Sequence, residues 1–369
     1  MRVAYDATPL LGARTGIGVM TARLLEGLAL EAELAVTAFA CTWRGRGALA
    51  SAVPPGVRVV ERPLPARPAH FAWRHSSVPP VEWITGPIDV VHGPNFLVPP
   101  SRRASRVMTV HDLTAVHHPE LCTRHTRTYP AAIRKALARG AFVHTVSSFV
   151  RDEVLDVFGA DPDRVVVVAN GVDTIPAADP ARGHAMAGGT DYLVAIGTIE
   201  PRKGYPTVIR AFDAIAARTP GLRLVIAGPD GWGIDAFDAA VRAATHRDRI
   251  VRLGMVDEGD RAALLRGARM LVFASRYEGF GLPPLEAMGA GTPVVATRAG
   301  AIPEVCADAA ELVAVDDPDA LAAGIDRVLH DDAHRRGLIE RGAARAQLFT
   351  WPAHVSGVVA LYRRAASRS

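Results

Sequence analysis

The chain has 369 residues, 49% of them hydrophobic and 22% charged, with a net charge of +4. That length accommodates two domains of ordinary size, each with a sizeable core. The charges are scattered with no basic block, which argues against nucleic acid as a partner. The mild positive balance suits an anionic substrate or an anionic membrane surface and demands neither.

Cys41, Cys122 and Cys306 are far apart and lack metal-ligand spacing, so they read as free thiols of a reducing compartment. The first residues enter a strand directly, without the apolar core of a signal peptide. No run approaches the ~20 apolar residues of a spanning helix. A cytoplasmic protein is expected, with peripheral contact at the inner membrane face left open.

In chain order, residues 2–6 read as a strand, followed by Gly12, Gly16 and Gly18 and then a helix over 19–29. Gly16 and Gly18 superficially match a dinucleotide fingerprint. However, Thr21 stands at its third position and about ten residues separate strand from glycines, where that fingerprint needs a direct turn. Residues 34–40 and 57–60 read as further strands. The proline-rich stretch 54–100, with Trp73 and Trp83 among arginines, reads as an irregular excursion. It is either a loop packed by its aromatics or part of an acceptor surface.

Residues 89–92 form a short strand that delivers His92 and Asn95 to its end, and residues 106–110 deliver His111 and Asp112 in the same way. Carboxyl ends of parallel strands are where open α/β sheets bind ligands. His117 and His118 do not complete a zinc pattern with His111 and read as loop residues. A helix over 124–140 carries arginines on one side. A strand over 142–148 precedes a helix over 150–158, which Ser147 can cap. Residues 165–168 are continuously β-branched, as in a strand buried on both faces. Asp161-Pro-Asp163 and Asp317-Pro-Asp319 read as loops rather than metal–diphosphate sites, and no metal is inferred.

Residues 174–190 are rich in Ala, Pro and Gly without an apolar period and read as an interdomain linker. A strand over 192–197 opens the second half. It leads into Glu200-Pro-Arg202-Lys203-Gly204 and a helix over 205–218. Adjacent Arg and Lys can grip two phosphates, one by a planar fork and one as a point charge. Lys203 is one of only two lysines, the other being Lys135. Strands over 222–227 and 270–274 follow, with helices over 235–246 and 257–267 between them.

The most informative stretch is 275–295, a strand, a glycine loop, a helix and a second strand. Gly279 and Gly281 permit a tight turn and close approach to a ligand. Pro283 and Pro284 suit a first helical turn, whose free N–H groups favour phosphate. Glu278 and Glu286, eight residues apart, flank Gly279-Phe280-Gly281-Leu282-Pro283. One can face a sugar while the other, read as lying in the helix's first turn, accepts from a ribose diol. Amphipathic helices over 319–329 and 333–346 and a terminal helix over 351–366, capped by Thr350, complete the chain.

The 275–295 string resembles the signature of retaining glycosyltransferases of the GT-B fold, family 4. Further matches at Gly16-Ile-Gly18, His111-Asp112, Asn170-Gly-Val-Asp173, Glu200-Pro-Arg-Lys-Gly204 and Gly300-Ala-Ile-Pro-Glu304 extend the resemblance over nearly the whole chain; residues 44–87 match least. The resemblance implies an α/β protein of two Rossmann-like doubly wound domains facing across a cleft. These are an acceptor domain over 1–178, a nucleotide-sugar domain over 190–350 and a terminal helix, 351–369, crossing back to the first.

By resemblance, Arg202, Lys203, the Gly16 and Gly18 amides and the helix starting at Leu282 would neutralise the donor diphosphate. Gly279, Phe280 and Gly281 would line the donor site. Met255 and Val256 would lie where the backbone reads the base, Glu286 would bind the ribose and Glu278 would hold sugar hydroxyls. His111 would work at the reacting face, with Asp112, His92 and Asn95 on the acceptor or sugar side. Closure about the linker would assemble the site. The expected reaction moves a sugar, mannose from GDP-mannose by preference, to a glycan or lipid-linked saccharide, without metal or other cofactor. UDP-glucose and rhamnosyl donors are the next choices. An epimerase or hydrolase of the same fold, a non-catalytic sugar-nucleotide binder and a nicotinamide dehydrogenase are the rival readings.

Overall fold

The computed structural model describes residues 1–11, 16–42, 47–62 and 66–368. The chain divides into two compact units. The first comprises Met1–Gly171 with Phe349–Ser369, and the second is Val172–Leu348.

In the first unit the strands are β1 (Arg2–Asp6), β2 (Ala35–Cys41), β3 (Arg58–Arg62), β4 (Val90–Gly93), β5 (Ser105–Val110), β6 (Phe142–Thr145) and β7 (Val165–Val167). They form one seven-stranded sheet in the order β3-β2-β1-β4-β5-β6-β7, with every pairing parallel. The helices are α1 (Gly16–Leu28), α2 (Ala48–Ala52), α3 (Ala66–His75), α4 (Glu82–Thr85), α5 (Thr114–His117), α6 (Tyr129–Ala138) and α7 (Ser148–Phe158). An all-parallel sheet must be covered on both faces. The two apolar clusters of this unit do that, one around Leu24, Leu25 and Val355 and the other around Phe39, Trp73 and Ile133.

The second unit adds α8 (Pro180–Ala187), β8 (Tyr192–Ile196), α9 (Tyr205–Ala216), β9 (Arg223–Ala227), α10 (Ile234–Ala243), β10 (Ile250–Gly254), α11 (Glu258–Gly267) and β11 (Met270–Phe273). It continues through α12 (Leu282–Gly289), β12 (Val294–Thr297), α13 (Ile302–Cys306), β13 (Glu311–Val313), α14 (Pro318–His330) and α15 (Asp332–Ala346). Its sheet is six-stranded, β10-β9-β8-β11-β12-β13, and again wholly parallel. The terminal helix α16 (Trp351–Ala366) belongs to the first unit. Thr350 caps it by accepting from Ala353 N at 3.3 Å. Val355, Val358 and Leu361 are buried there, worth on the order of 1.5–3 kcal/mol each.

Several expectations need correction. The presumed linker contains α8, capped by Asp179 and packed on α11, so it is part of the second unit's structure. The 54–100 excursion contains α3 and α4; Trp73 is buried and its Nε1–H donates to Pro79 O at 3.0 Å, whereas Trp83 is 59% exposed. β7 is the sheet edge and only its first residue is fully buried. His117 ends the helical turn α5 rather than lying in a loop, and its Nε2 meets Glu153 Oε1 at 3.1 Å.

Candidate functional site

In each sheet the strand order reverses once, between β1 and β4 in the first and between β8 and β11 in the second. Loops leaving adjacent strands at such a reversal diverge to opposite faces and open a crevice at the carboxyl edge, where α/β sheets bind ligands. In the second unit the loop after β8 carries Glu200, Arg202 and Lys203, and the loop after β11 carries Ser275 to Gly281. Because β8 and β11 are neighbours, the starts of these two loops border the same crevice.

Glu278 is their meeting point. Its Oε1 accepts from Lys203 Nζ and from Ser275 Oγ, each at 2.7 Å, and its Oε2 lies 2.7 Å from Arg202 Nη1. Arg202 also donates through Nη2 to Glu200 Oε1 at 2.7 Å and through Nη1 to Tyr277 O at 3.0 Å. Two cations and two carboxylates thus balance in one cluster. Glu278 is 7% exposed. Burial by itself would raise its pKa, but the charges of Arg202 and Lys203 and the hydrogen bonds from Lys203 and Ser275 outweigh burial and hold it at about 2. The carboxylate is ionised throughout the physiological range and cannot serve as a general acid.

The backbone behind Glu278 is equally constrained. Its carbonyl accepts from Ala301 N at 2.8 Å. Gly300 has φ +58°, and a Cβ there would stand 2.2 Å from Glu278 O, so only glycine fits. Beyond Gly281 (φ 113°) the helix α12 begins, with Pro283 and Pro284 in its first turn. Those prolines remove two of the orphan amides of a helix start. The amides of Gly281 and Leu282 remain to face an anion, with the helix dipole behind them.

Glu286 is the fifth residue of α12, so it lies beyond the first turn where it was expected. It is 9% exposed and ion-paired with Arg261 of α11. That arginine gave no signal in the sequence. Gly279 and Phe280 are buried, while Met255, just past β10, is 64% exposed beside half-buried Val256.

In the first unit, Gly16 and Gly18 lie in the first turn of α1 rather than in a loop. The rest of that glycine segment, residues 12–15, lies outside the described residues. His111 follows β5, and its Nε2–H donates to Pro94 O at 2.7 Å. Burial lowers its pKa, which Pro94 O and Asp112 partly offset, so the neutral imidazole is favoured. Asp112 Oδ1 accepts from Thr114 N at 2.9 Å and starts the turn α5. Asn95 is half-buried and its Oδ1 has no partner.

His92 departs from its expected place on the acceptor side. It is fully buried and hydrogen-bonded between Tyr362 OH (2.6 Å) and Thr109 Oγ1 (2.7 Å). It points into the core because side chains alternate along a strand, and its position on β4 faces α16. Among the described residues no group of three or more His, Cys, Asp or Glu is placed to hold a metal ion.

Two wholly parallel Rossmann-like units, the second with a basic–acidic cluster at its switch point, define the two-domain GT-B class of sugar-nucleotide transferases. Solved structures agree in fold. A sucrose-phosphate synthase from Thermosynechococcus elongatus aligns over 100% of both chains with a TM-score of 0.78 and 21% identity. Anabaena HepE in complex with UDP and glucose aligns over 98% of both with a TM-score of 0.73 and 16% identity. In sequence, the O-antigen chain mannosyltransferase B of Escherichia coli is 34% identical over 270 residues, 71% of each chain. A D-inositol 3-phosphate glycosyltransferase of Frankia alni is 36% identical over 232 residues, 59% of this chain and 57% of that one. Residues 15–171 match the glycosyl transferase 4-like domain, and residues 181–345 match glycosyl transferases group 1. The chain belongs to this glycosyltransferase family, whose members transfer a sugar from a nucleotide-diphosphate donor to an acceptor.

Proposed function

We propose that the protein is a retaining hexosyltransferase whose second unit holds the donor and whose first unit serves the acceptor. The observation that supports this most is the cluster of Arg202, Lys203 and Glu278 beside the first turn of α12. The donor diphosphate takes Lys203, Arg202 and the Gly281 and Leu282 amides. Charge builds on that diphosphate as the anomeric carbon–oxygen bond breaks, and fixed donors aimed at developing charge are commonly the largest catalytic term. Glu278 orients both cations and accepts from sugar hydroxyls. Glu286 and Arg261 hold the ribose, and the backbone near Met255 and Val256 reads the base. Gly16 and Gly18 contribute amides of the α1 start. The acceptor oxygen attacks the face the leaving group departs from, and its proton passes to the leaving phosphate oxygen, so no protein nucleophile is needed. His111, with Asp112 and Asn95 nearby, orients the hydroxyls at the reacting carbon.

Two donors have support. The Escherichia coli relative is a mannosyltransferase, which favours GDP-mannose. HepE structures hold UDP, glucose and UDP-glucose, which favours UDP-glucose, and this is the first donor to try. The acceptor is a glycan or lipid-linked saccharide met on the cytoplasmic side; among the described residues no helix is long and apolar enough to cross a membrane. The reading is tested by incubating the enzyme with each donor in EDTA and following the released sugar by proton NMR. Slow release of the α-anomer first, from one donor, is expected. Release of the β-anomer first, or of nothing from any nucleotide sugar, contradicts it.

A further inference from the structure

Between β4 and β5 the chain of the first unit makes a turn over residues 93–97 that the donor chemistry does not explain. It closes so tightly that a Cβ on Gly93 would stand 1.9 Å from Leu97 O. Inside it, Phe96 has φ 57°, a left-handed conformation that strains any non-glycine residue. Phe96 N–H donates to Thr109 O at 3.0 Å, which pins the turn to β5 two residues before His111. The Phe96 ring is 5% exposed. It stacks on Tyr129 of α6, with centroids 4.4 Å apart and planes at 12°, and meets His111 edge-on at 5.7 Å and 72°. Pro94 O, in the same turn, accepts from His111 Nε2 at 2.7 Å.

The turn therefore holds His111 twice, once by a carbonyl and once by a ring. A glycine at position 96 would satisfy this backbone without strain. A phenylalanine is the strained choice, and its ring contacts are what the strain supports.

We propose that Phe96, backed by Tyr129, is a positioning residue for His111: it fixes the tilt of the imidazole while Pro94 O fixes the proton on Nε2, leaving Nδ1 as an acceptor for a substrate hydroxyl. This rests on the proposed role of His111 at the reacting carbon. The tautomer follows from the hydrogen bond, since a carbonyl only accepts. Water excluded by the ring keeps the imidazole neutral. The titratable group acting on it is Asp112 beside it, and His111 in turn lowers the pKa of His92 on β4, His144 on β6 and His354 on α16.

The test compares Phe96→Gly, Phe96→Tyr, Tyr129→Leu and His111→Ala in the full chain with the donor that turns over. Phe96→Gly relaxes the backbone and deletes the ring. It is expected to lower kcat at least tenfold with donor KM little changed, and to move the acid limb of the pH–rate profile upward as water reaches His111. Phe96→Tyr should restore most of the rate. Tyr129→Leu, which keeps the backbone bonds of the turn but removes the stacked ring and its Asn95 contact, should give the same pH shift with a smaller loss and covers the case in which Phe96→Gly fails to fold. If Phe96→Gly and Tyr129→Leu keep kcat and the pH profile while His111→Ala abolishes turnover, the positioning role is wrong and the role of His111 stands. If His111→Ala keeps full activity, both fall.

Discussion

Lys203 Nζ and Glu278 Oε1 lie 2.7 Å apart although 75 residues separate them in the chain. They meet because β8 and β11 are neighbours in a parallel sheet whose order reverses between them. Lys203 commits one ammonium hydrogen to Glu278. An ammonium has three donors, so two can turn to phosphate. The same ammonium lies over the Phe273 ring, 5.1 Å from its centroid.

Lys203→Ala removes a donor aimed at the leaving group, so it should lower kcat by roughly 10²–10³-fold, as loss of one preorganised donor does elsewhere. Steady-state kinetics with the accepted donor check this. A change confined to KM would mean that Lys203 binds ground state and transition state equally.

Glu278 gives the second unit a pH dependence of known sign. Its folded pKa of about 2 lies below the ordinary carboxylate value. The unfolded chain therefore takes up the proton first, and the stabilisation is complete above about pH 5 and lost progressively as pH falls towards 2, amounting to roughly 3 kcal/mol. Urea unfolding between pH 6 and 3 should show this fall in the wild type and a shallower one in Glu278→Gln. Equal slopes would mean that Lys203 and Arg202 do not hold the carboxylate as described.

Gly300→Ala separates two costs. Gly300 (φ +58°) would place a Cβ 2.2 Å from Glu278 O, whereas Gly291 (φ +79°) has nothing within 4 Å of its Cβ position. Gly291→Ala should cost only backbone strain, about 1 kcal/mol. Gly300→Ala should cost at least about 2 kcal/mol, because a backbone carbonyl cannot swing aside, and should lower kcat by displacing Glu278. Denaturation midpoints and kcat of the two variants decide it.

The buried histidines of the first unit form a chain with a forced direction. His144 Nε2 lies 2.9 Å from Val168 O, so it carries the hydrogen. His144 Nδ1 then accepts from Thr109 Oγ1 at 2.9 Å, Thr109 accepts from His92 Nε2 at 2.7 Å, and His92 Nδ1 accepts from Tyr362 OH at 2.6 Å. Tyr362→Phe leaves His92 Nδ1 buried without a donor and should cost about 1–3 kcal/mol. Nitrogen NMR should report Nε2–H tautomers for both rings.

Burial also depresses the pKa of His92, His144 (to about 3) and His354 (to about 4). The unfolded chain binds these protons first, so stability falls as pH drops below about 6.5, by about 1.4 kcal/mol per pH unit for each imidazole. His354→Asn, which keeps a donor for Ala169 O, should reduce the slope between pH 6 and 4.5 by about one proton. An unchanged slope would place His354 in water.

Most strands were legible because both faces of a parallel sheet demand continuous apolar runs, though β10 and the three-residue edge strand β13 were not, and Ser147 and Thr350 were legible as caps by residue type. The helix α8 was not, since it packs through Gly183 and Ala187 and so shows no apolar stripe; a Cβ on Gly183 would lie 2.3 Å from Ala263 O. Arg202, Lys203 and Glu278 could be picked out by type and spacing, but their mutual pairing depends on strand order. His92 shows the limit in the other direction, because a histidine at a strand end has the same sequence pattern whether it faces substrate or core. The contacts of Phe96 and Tyr129 arise only when α6 is laid over the turn after β4, so neither residue stood out in the chain.

The most direct measurement is the thermal shift produced by UDP and GDP, with UMP and GMP as controls, in EDTA, on the wild type and on Lys203→Ala. A nucleoside diphosphate at about 100 times its Kd stabilises the folded state by roughly 2.7 kcal/mol. A shift with one diphosphate, much smaller with its monophosphate and largely lost in Lys203→Ala, is the expected result. An equal shift in the wild type and Lys203→Ala, or none with either diphosphate, would contradict a donor diphosphate held by this cluster.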